Sequence, residues 1–101
     1  MTNAERALAT LGDGTRREIF EQLAQRPLAV SELARRVPVS RPSVSQHLQV
    51  LKAAGLVLDR AQGTRRIKSV DPGDLGPVRV WLDRFWTTAL DAFQVEVEKD
   101  R

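Results

Sequence analysis

The chain contains no cysteine and a single histidine, His47, among its 101 residues. Without thiols it can form neither a disulfide framework nor a thiolate metal site. One histidine is also too few for an ordinary transition-metal site. We therefore expect no metal ion and no other cofactor, and the absence of disulfides favours a cytoplasmic protein.

Long apolar runs and catalytic patterns are missing as well. No apolar stretch approaches the ~20 residues that a membrane-spanning helix needs, and the first residues lack the layout of a signal peptide. Gly-rich phosphate loops, Walker-type motifs and paired carboxylates are absent. Ser43 and Ser45 lie near His47, but on a helix predicted to be exposed. We predict that the protein is not an enzyme and does not contact a membrane.

The formal net charge is only +3, but it is unevenly distributed along the chain. Residues 1–30 are neutral overall, and residues 71–101 carry a net charge of −3. Residues 31–70 hold eight basic and two acidic side chains, a net charge of +6. A basic central segment is typical of a nucleic-acid contact, although such a run can also be an ordinary solvated surface.

Apolar periodicity and capping residues predict two helices in the first quarter of the chain. The first covers about residues 3–11 and is capped by Thr2 or Asn3. The second follows a capping box at residues 15–18 and ends before Pro27. Four apolar residues recur in it at a spacing that gives one buried face: Ile19, Phe20, Leu23 and Ala24.

A helix-turn-helix pattern follows. Residues 28–30 are predicted to be extended, and Ser31 is a suitable N-cap for a short helix that ends at Pro38. Val39 is expected to pack inward across the bend, and Ser40 to cap the next helix, which covers residues 40–54. A short helix, a tight turn and a second helix with a small polar N-terminus make up the helix-turn-helix arrangement.

A β-hairpin and a long helix complete the predicted fold. The strands cover residues 56–60 and 64–70 with a turn at residues 61–63, and the last helix covers about residues 75–98. A hairpin directly after a helix-turn-helix is the wing of a winged helix. We predict one domain over residues 1–101, mainly α with a small β-hairpin (α+β), in the order α-α-(β)-α-α-β-β-α.

The helix over residues 40–54 leaves small polar side chains outside its apolar face. Serine and glutamine fit base edges in the major groove, and glutamine can pair bidentately with adenine. Arg41 can reach a guanine or a phosphate, and His47 is expected to pack or to contact a phosphate. The alternative is an ordinary solvent-exposed polar face. The candidate DNA-contacting residues of this helix are Ser40, Arg41, Pro42, Ser43, Ser45, Gln46, His47 and Gln49.

Basic side chains flank the turn of the predicted hairpin, which spans residues 60–68. Those near its tip can bind phosphates or enter beside the minor groove, whereas Ile67 is predicted to face inward. The alternative is an edge hairpin that its charges keep soluble. The candidate DNA-contacting residues of the hairpin are Arg60, Gln62, Gly63, Thr64, Arg65 and Arg66.

The last helix carries four of the five aromatic residues. The apolar stripe of this helix, which includes these aromatic residues, is expected first of all to be part of the protein core. At ~1.5 Å per residue the helix is ~33 Å long, which exceeds what a small domain needs to cover its core. Part of it is therefore predicted to pack, with the first helix, against a second copy, and this is favoured over a ligand pocket at Trp81 and Trp86. The candidate interface residues are Leu8, Leu11, Val78, Trp81, Leu82, Phe85, Trp86, Ala89 and Phe93.

Four stretches of the chain form a recognisable set: DGTRREIF at residues 13–20, SELA at 31–34, SRPSVSQHLQVLKAAGLV at 40–57 and GTRRI at 63–67. Together they resemble the ArsR/SmtB-type winged helix-turn-helix repressors of bacteria. The resemblance implies a dimeric transcriptional regulator, usually a repressor, whose first and last helices form the dimer interface. It also implies that residues 40–47 include the DNA-reading positions and that residues 62–66 form the wing.

The chain departs from the family pattern at two points. Gly14 stands where the family commonly has proline. Metal sensors of the family place cysteine pairs in the segment that matches residues 28–34, or Asp, His and Glu sets on the last helix. Here that segment has no cysteine and the last helix has no histidine. We therefore predict a member that lacks the known metal-sensing sites and has either an unidentified small-molecule effector or none.

Two functions remain open from the sequence. The first is a homodimeric repressor of a near-palindromic operator in double-stranded DNA, with the helix over residues 40–54 in the major groove and the hairpin as the wing. The second is a winged-helix protein–protein interaction module that does not bind DNA. The second requires exposed apolar residues on the same face, and residues 41–49 offer few.

Overall fold

The structure is a computed structural model that describes residues 2–99, and over that range it has five α-helices and one antiparallel hairpin. This confirms the predicted fold class and element order. The elements are α1 (Asn3–Thr10), α2 (Gly14–Gln25), α3 (Val30–Arg36), α4 (Arg41–Ala53), β1 (Val57–Gln62), β2 (Arg65–Val70), a 3₁₀ turn (Pro72–Asp74) and α5 (Leu75–Lys99).

Side-chain caps start α1 and α4 at the predicted residues. The Thr2 hydroxyl accepts a hydrogen bond from the Glu5 N–H at 3.1 Å, and the Glu5 carboxylate accepts one from the Thr2 N–H at 3.1 Å. The Ser40 hydroxyl accepts a hydrogen bond from the Ser43 N–H at 3.3 Å. These bonds satisfy backbone donors that a helix start leaves without partners.

The predicted caps of α2 and α3 are wrong. Asp13, rather than a box beginning at Thr15, caps α2, because its carboxylate accepts from the Arg16 N–H at 2.9 Å. The N-cap of α3 is Ala29 rather than Ser31. There the Glu32 carboxylate accepts from the Ala29 N–H at 3.1 Å, so a glutamate inside the first turn supports the helix start without a serine cap.

The core lies between the first four helices and the hairpin. Ile19, Phe20 and Leu23 of α2 are buried as predicted, but Ala24 is exposed. At about 100° per residue, Ala24 lies at the margin of the α2 apolar face. The largest fully buried side chains are Ile19, Leu28, Leu33, Val44, Leu51 and Leu56.

The helix-turn-helix has the predicted geometry. Val39, in the turn between α3 and α4, is half-buried against the core. Val44, Leu48 and Leu51 line the inner face of α4 and are buried. Gly55 follows the end of α4 with φ of 77°, a left-handed conformation that favours glycine after a helix.

The hairpin register places the turn later than predicted. The strands pair from Val57 with Val70 to Gln62 with Arg65, so the loop is Gly63 and Thr64 rather than residues 61–63. Gly63 has φ of 64°, as a two-residue type II′ loop requires at its first position. Ile67 is buried as predicted. The predicted extended segment contributes a single bridge, in which Leu28 exchanges backbone hydrogen bonds with Lys68 at 3.0 and 2.8 Å.

The expectation that the α5 stripe is core is wrong within one chain. Val78 is buried against the rest of the chain, although it was predicted for the interface. The helix packs on α1 and the 3₁₀ turn and then extends away from the body, so the molecule as a whole measures 65 Å along its longest axis. Six large apolar side chains of the stripe are 39–68% exposed: Trp81, Leu82, Phe85, Trp86, Leu90 and Phe93.

Candidate nucleic-acid interface

The α4 helix presents a polar outer face. Among its predicted DNA-contacting residues, Pro42, Ser45, Gln46 and Gln49 are exposed along the helix. With 3.6 residues per helical turn, Pro42, Gln46 and Gln49 lie opposite the buried face of Val44, Leu48 and Leu51, and Ser45 lies at its side. Serine and glutamine side chains therefore stand where a base edge could meet them.

His47 and Ser43 do not share this outer face. Both are half-buried. The Arg16 N–H that donates to Asp13 holds the pKa of that carboxyl below its ordinary value, and the charge of Arg16 acts in the same direction.

Two clefts flank Arg41, which begins α4. The first has a volume of about 450 Å³ and lies between α3 and α4. The second, the wing cleft, has a volume of about 250 Å³ and is lined by Ala29, Val30, Ser31, Arg41, Arg65 and Arg66. The fold thus brings the start of α4, the helix predicted to enter the major groove, beside two arginines of the hairpin.

The clefts also contain residues that were missing from the sequence prediction. Ser31 borders both clefts, and Arg35 lines the first. Arg35 belongs to the basic segment, which was the available signal for it. Ser31 was interpreted as a helix cap, and only its position beside Arg41 in the folded chain indicates another role.

A buried carboxylate attaches the hairpin to α4. Asp59 of β1 is 2.8 Å from the Lys68 Nζ, 3.1 Å from the Lys52 Nζ and 3.8 Å from an Arg66 guanidinium nitrogen. The side chains of Asp59 and Lys68 are only 13% and 11% exposed. The hydrogen bond from Lys68, followed by that from Lys52, lowers the pKa of Asp59. Lys68 is therefore not one of the cations that the hairpin offers to a partner.

Asp59→Asn is expected to lower the free energy of unfolding by about 1–2 kcal/mol at neutral pH, because Lys68 would lose its nearest counter-charge while remaining almost buried. Since folding lowers the pKa of Asp59 from 3.8, its stabilising contribution is present above that pH and is lost as pH falls through the folded value. The difference between wild type and variant should therefore shrink below about pH 4.

Urea unfolding followed by circular dichroism at neutral and acidic pH measures both effects. Asp83→Asn on α5, where the side chain is exposed, is the matched control and should leave stability unchanged. An Asp59→Asn variant as stable as wild type at neutral pH would show that this cluster does not hold the hairpin in place.

A second ion pair joins the hairpin to α3. An Arg65 guanidinium nitrogen lies 2.6 Å from the Glu32 Oε1, which also accepts from the Ala29 N–H. Within residues 2–99, the other basic side chains of the central segment, which form no ion pair, are Arg35, Arg36, Arg41 and Arg60. The surface around the clefts therefore remains basic after internal pairing.

Over the same described range, no three His, Asp or Glu side chains come together in a group that could hold a metal ion. None of the helices in residues 2–99 is long and apolar enough to cross a membrane.

Comparison with known proteins places this geometry in a family. A helix-turn-helix domain model matches residues 11–60. The chain is 56% identical over 96 residues to the HTH-type transcriptional regulator Rv2034 of Mycobacterium tuberculosis, a match that covers 95% of this chain and 90% of that protein.

Solved structures agree. An ArsR-like transcriptional regulator from Rhodococcus sp. RHA1 superposes with a TM-score of 0.76 at 32% identity, over 91% of this chain and 90% of that one. The homodimeric winged helix-turn-helix DNA-binding domain of Mb0332 from Mycobacterium bovis, a possible ArsR-family regulator, gives a TM-score of 0.68 at 28% identity, over 89% and 83% of the two chains. The chain belongs to the ArsR/SmtB family of winged helix-turn-helix transcriptional regulators and contains its DNA-binding domain.

Proposed function

We propose that this protein is a homodimeric transcriptional repressor that binds a near-palindromic operator in double-stranded DNA. The α4 helix enters the major groove, and the β1–β2 hairpin is the wing. The observation that carries the proposal is one continuous surface. On it, the outer face of α4 leads through Arg41 to Arg65 and Arg66 of the hairpin.

The two parts of this surface have different tasks. Ser45, Gln46 and Gln49 supply uncharged donors and acceptors, which discriminate between base edges. The arginines supply charge, which fixes the protein on the phosphate backbone without reading sequence. The α4 helix is ~20 Å long at ~1.5 Å per residue, and the major groove, about 12 Å wide, admits such a helix.

The exposed apolar stripe of α5 supports a dimer. A radius of gyration of 17.6 Å exceeds the ~13 Å of a compact chain of this length, because α5 extends beyond the body. Trp81 and Phe85 stack on each other with ring centroids 5.6 Å apart, yet both remain exposed. Contiguous exposed apolar surface marks a protein interface. In the proposed dimer a two-fold axis presents two α4 helices to major grooves one turn, about 34 Å, apart.

Repression follows from position on the DNA. A dimer seated on an operator that overlaps a promoter occupies DNA that RNA polymerase needs. The outer face of α4 does not favour the protein-interaction alternative, because Val50, 42% exposed, is the one large exposed apolar side chain that the structure describes on that helix.

The affinity for DNA is expected to fall steeply with salt. If each subunit contacts three phosphates through the wing cleft and the unpaired arginines around it, the six contacts of a dimer give a slope of about −5 in log K against log salt. Fluorescence anisotropy with a duplex enriched from a random library by the purified protein measures this slope. Absence of binding, or binding that does not respond to salt, would contradict DNA recognition, and a protein partner retained after nuclease treatment would favour the alternative.

A further inference from the structure

The wing cleft is bordered by a carboxylate. Arg41, Arg65 and Arg66 line the cleft, and Glu32 holds Arg65 at 2.6 Å. The Glu32 side chain is 31% exposed and that of Arg65 57% exposed. A negative charge on a surface built to meet DNA opposes binding, so its position calls for an explanation beyond the cap of α3.

We propose that the wing cleft binds one phosphate of the DNA backbone and that Arg65 leaves Glu32 to hold it. The proposal rests on the proposed function, since it requires that DNA reaches this surface. In the free protein Glu32 occupies the Arg65 guanidinium, and in the complex the phosphate replaces the Glu32 carboxylate as its partner.

The cleft has the chemistry of a phosphate site. Arg41, Arg65 and Arg66 line it, and a guanidinium group offers a planar fork of N–H donors that matches phosphate oxygens. Its volume of about 250 Å³ leaves room for one such group. The Arg66 side chain is 74% exposed, and its guanidinium lies 3.8 Å from Asp59.

Arg65 can exchange Glu32 for a phosphate because the Glu32–Arg65 ion pair is weak. An exposed ion pair changes an equilibrium by at most about fivefold, whereas a contact to DNA also releases counterions from the phosphate backbone. The Ala29 N–H, and then Arg65, lower the pKa of Glu32, so the carboxylate remains charged at neutral pH. Glu32 thus competes with every DNA sequence equally and limits the binding that does not depend on base contacts.

Glu32→Gln tests the exchange. Its amide oxygen can still accept from the Ala29 N–H, so α3 keeps its start, but the variant no longer competes for Arg65. We expect it to bind a mixed-sequence duplex of about 30 base pairs, long enough for two half-sites, about three- to fivefold more tightly at about 0.1 M salt. Fluorescence anisotropy gives the affinity, and a thermal melt by circular dichroism verifies the fold.

The same substitution in an Arg65→Gln background separates exchange from general electrostatics. Arg65→Gln alone should weaken binding, and adding Glu32→Gln to it should change affinity by less than about 1.5-fold, because no guanidinium is left to release. Asp91→Asn on α5, an exposed carboxylate that lines neither cleft, is the charge-matched control and should not alter binding.

Any other pattern of affinities contradicts the proposed exchange of Glu32 for a phosphate. Equal tightening in both backgrounds would mean that Glu32 acts only through its charge at a distance. Weaker or unchanged binding by Glu32→Gln alone would mean that Glu32 positions Arg65 for DNA or has no part in binding. If the wild-type protein binds DNA with a steep salt slope but the double-mutant comparison fails, the proposed function stands and only the exchange is contradicted. If the wild-type protein binds no duplex, both the proposed function and the exchange are contradicted.

Discussion

Phe85→Glu is expected to convert the protein to a monomer and to weaken operator binding by about 100-fold or more. Phe85 is 53% exposed in one chain, so the substitution leaves the monomer folded. In the proposed dimer the same side chain is buried, and an unpaired carboxylate there is costly. Two linked DNA-binding units bind more tightly than one by a factor of about 10² to 10⁴, and a monomer loses this gain.

Light scattering and fluorescence anisotropy together test this result. Val80→Glu is the matched control, because Val80 is 49% exposed and lies about 140° around the helix from Phe85. It should leave both the dimer and the DNA affinity unchanged. A dimer that survives Phe85→Glu, or a monomer that binds the operator as tightly as wild type, would rule out the α5 stripe as the interface that DNA binding needs.

Gln46→Ala is expected to lower the affinity for the selected operator by about 10- to 100-fold, with little change for unrelated DNA. Gln46 is exposed at the middle of the outer face of α4, where a side-chain amide can form two hydrogen bonds with an adenine. A bidentate contact of this kind contributes about 1–3 kcal/mol of discrimination against the wrong base. Losing it removes sequence preference rather than electrostatic attraction.

Parallel titrations with the selected duplex and with a shuffled duplex separate the two effects. Arg66→Ala provides the contrast, because the loss of a phosphate contact should weaken binding to both duplexes alike and make the salt slope shallower by about one. If Gln46→Ala weakened both duplexes equally, Gln46 would have no part in reading the bases.

Local patterns were enough to predict the elements but not every boundary. Val44, Leu48 and Leu51 recur at helical spacing, so the inner face of α4 could be identified before any packing was known. The caps of α2 and α3 could not be identified with the same accuracy, because neighbouring polar residues compete for one helix start. Asp13 is the cap of α2, and Glu32 made a serine cap unnecessary at α3.

The candidate site also has one part that the sequence predicts and one part that it does not. The Ser and Gln face of α4 follows from spacing along one helix, and the structure leaves Ser45, Gln46 and Gln49 exposed as expected. The wing cleft joins residues of α3 and α4 to the hairpin, which comes much later in the sequence. Ser31 has no local signal that sets it apart from other polar helix residues, and Arg35, in the neighbouring cleft, shares only the basic character of its segment.

By itself the sequence determined the helix-turn-helix, the hairpin after it and the basic character of the segment that contains both. Periodicity, capping and charge act over a few neighbouring residues and can be seen without a fold. Only the tertiary structure decided which charges remain available and which apolar residues remain uncovered. Lys68 is buried against Asp59 while Arg41 stays exposed, and Phe85 is left uncovered because α5 extends past α1. Pairing and burial depend on distances between elements, which a linear pattern does not contain.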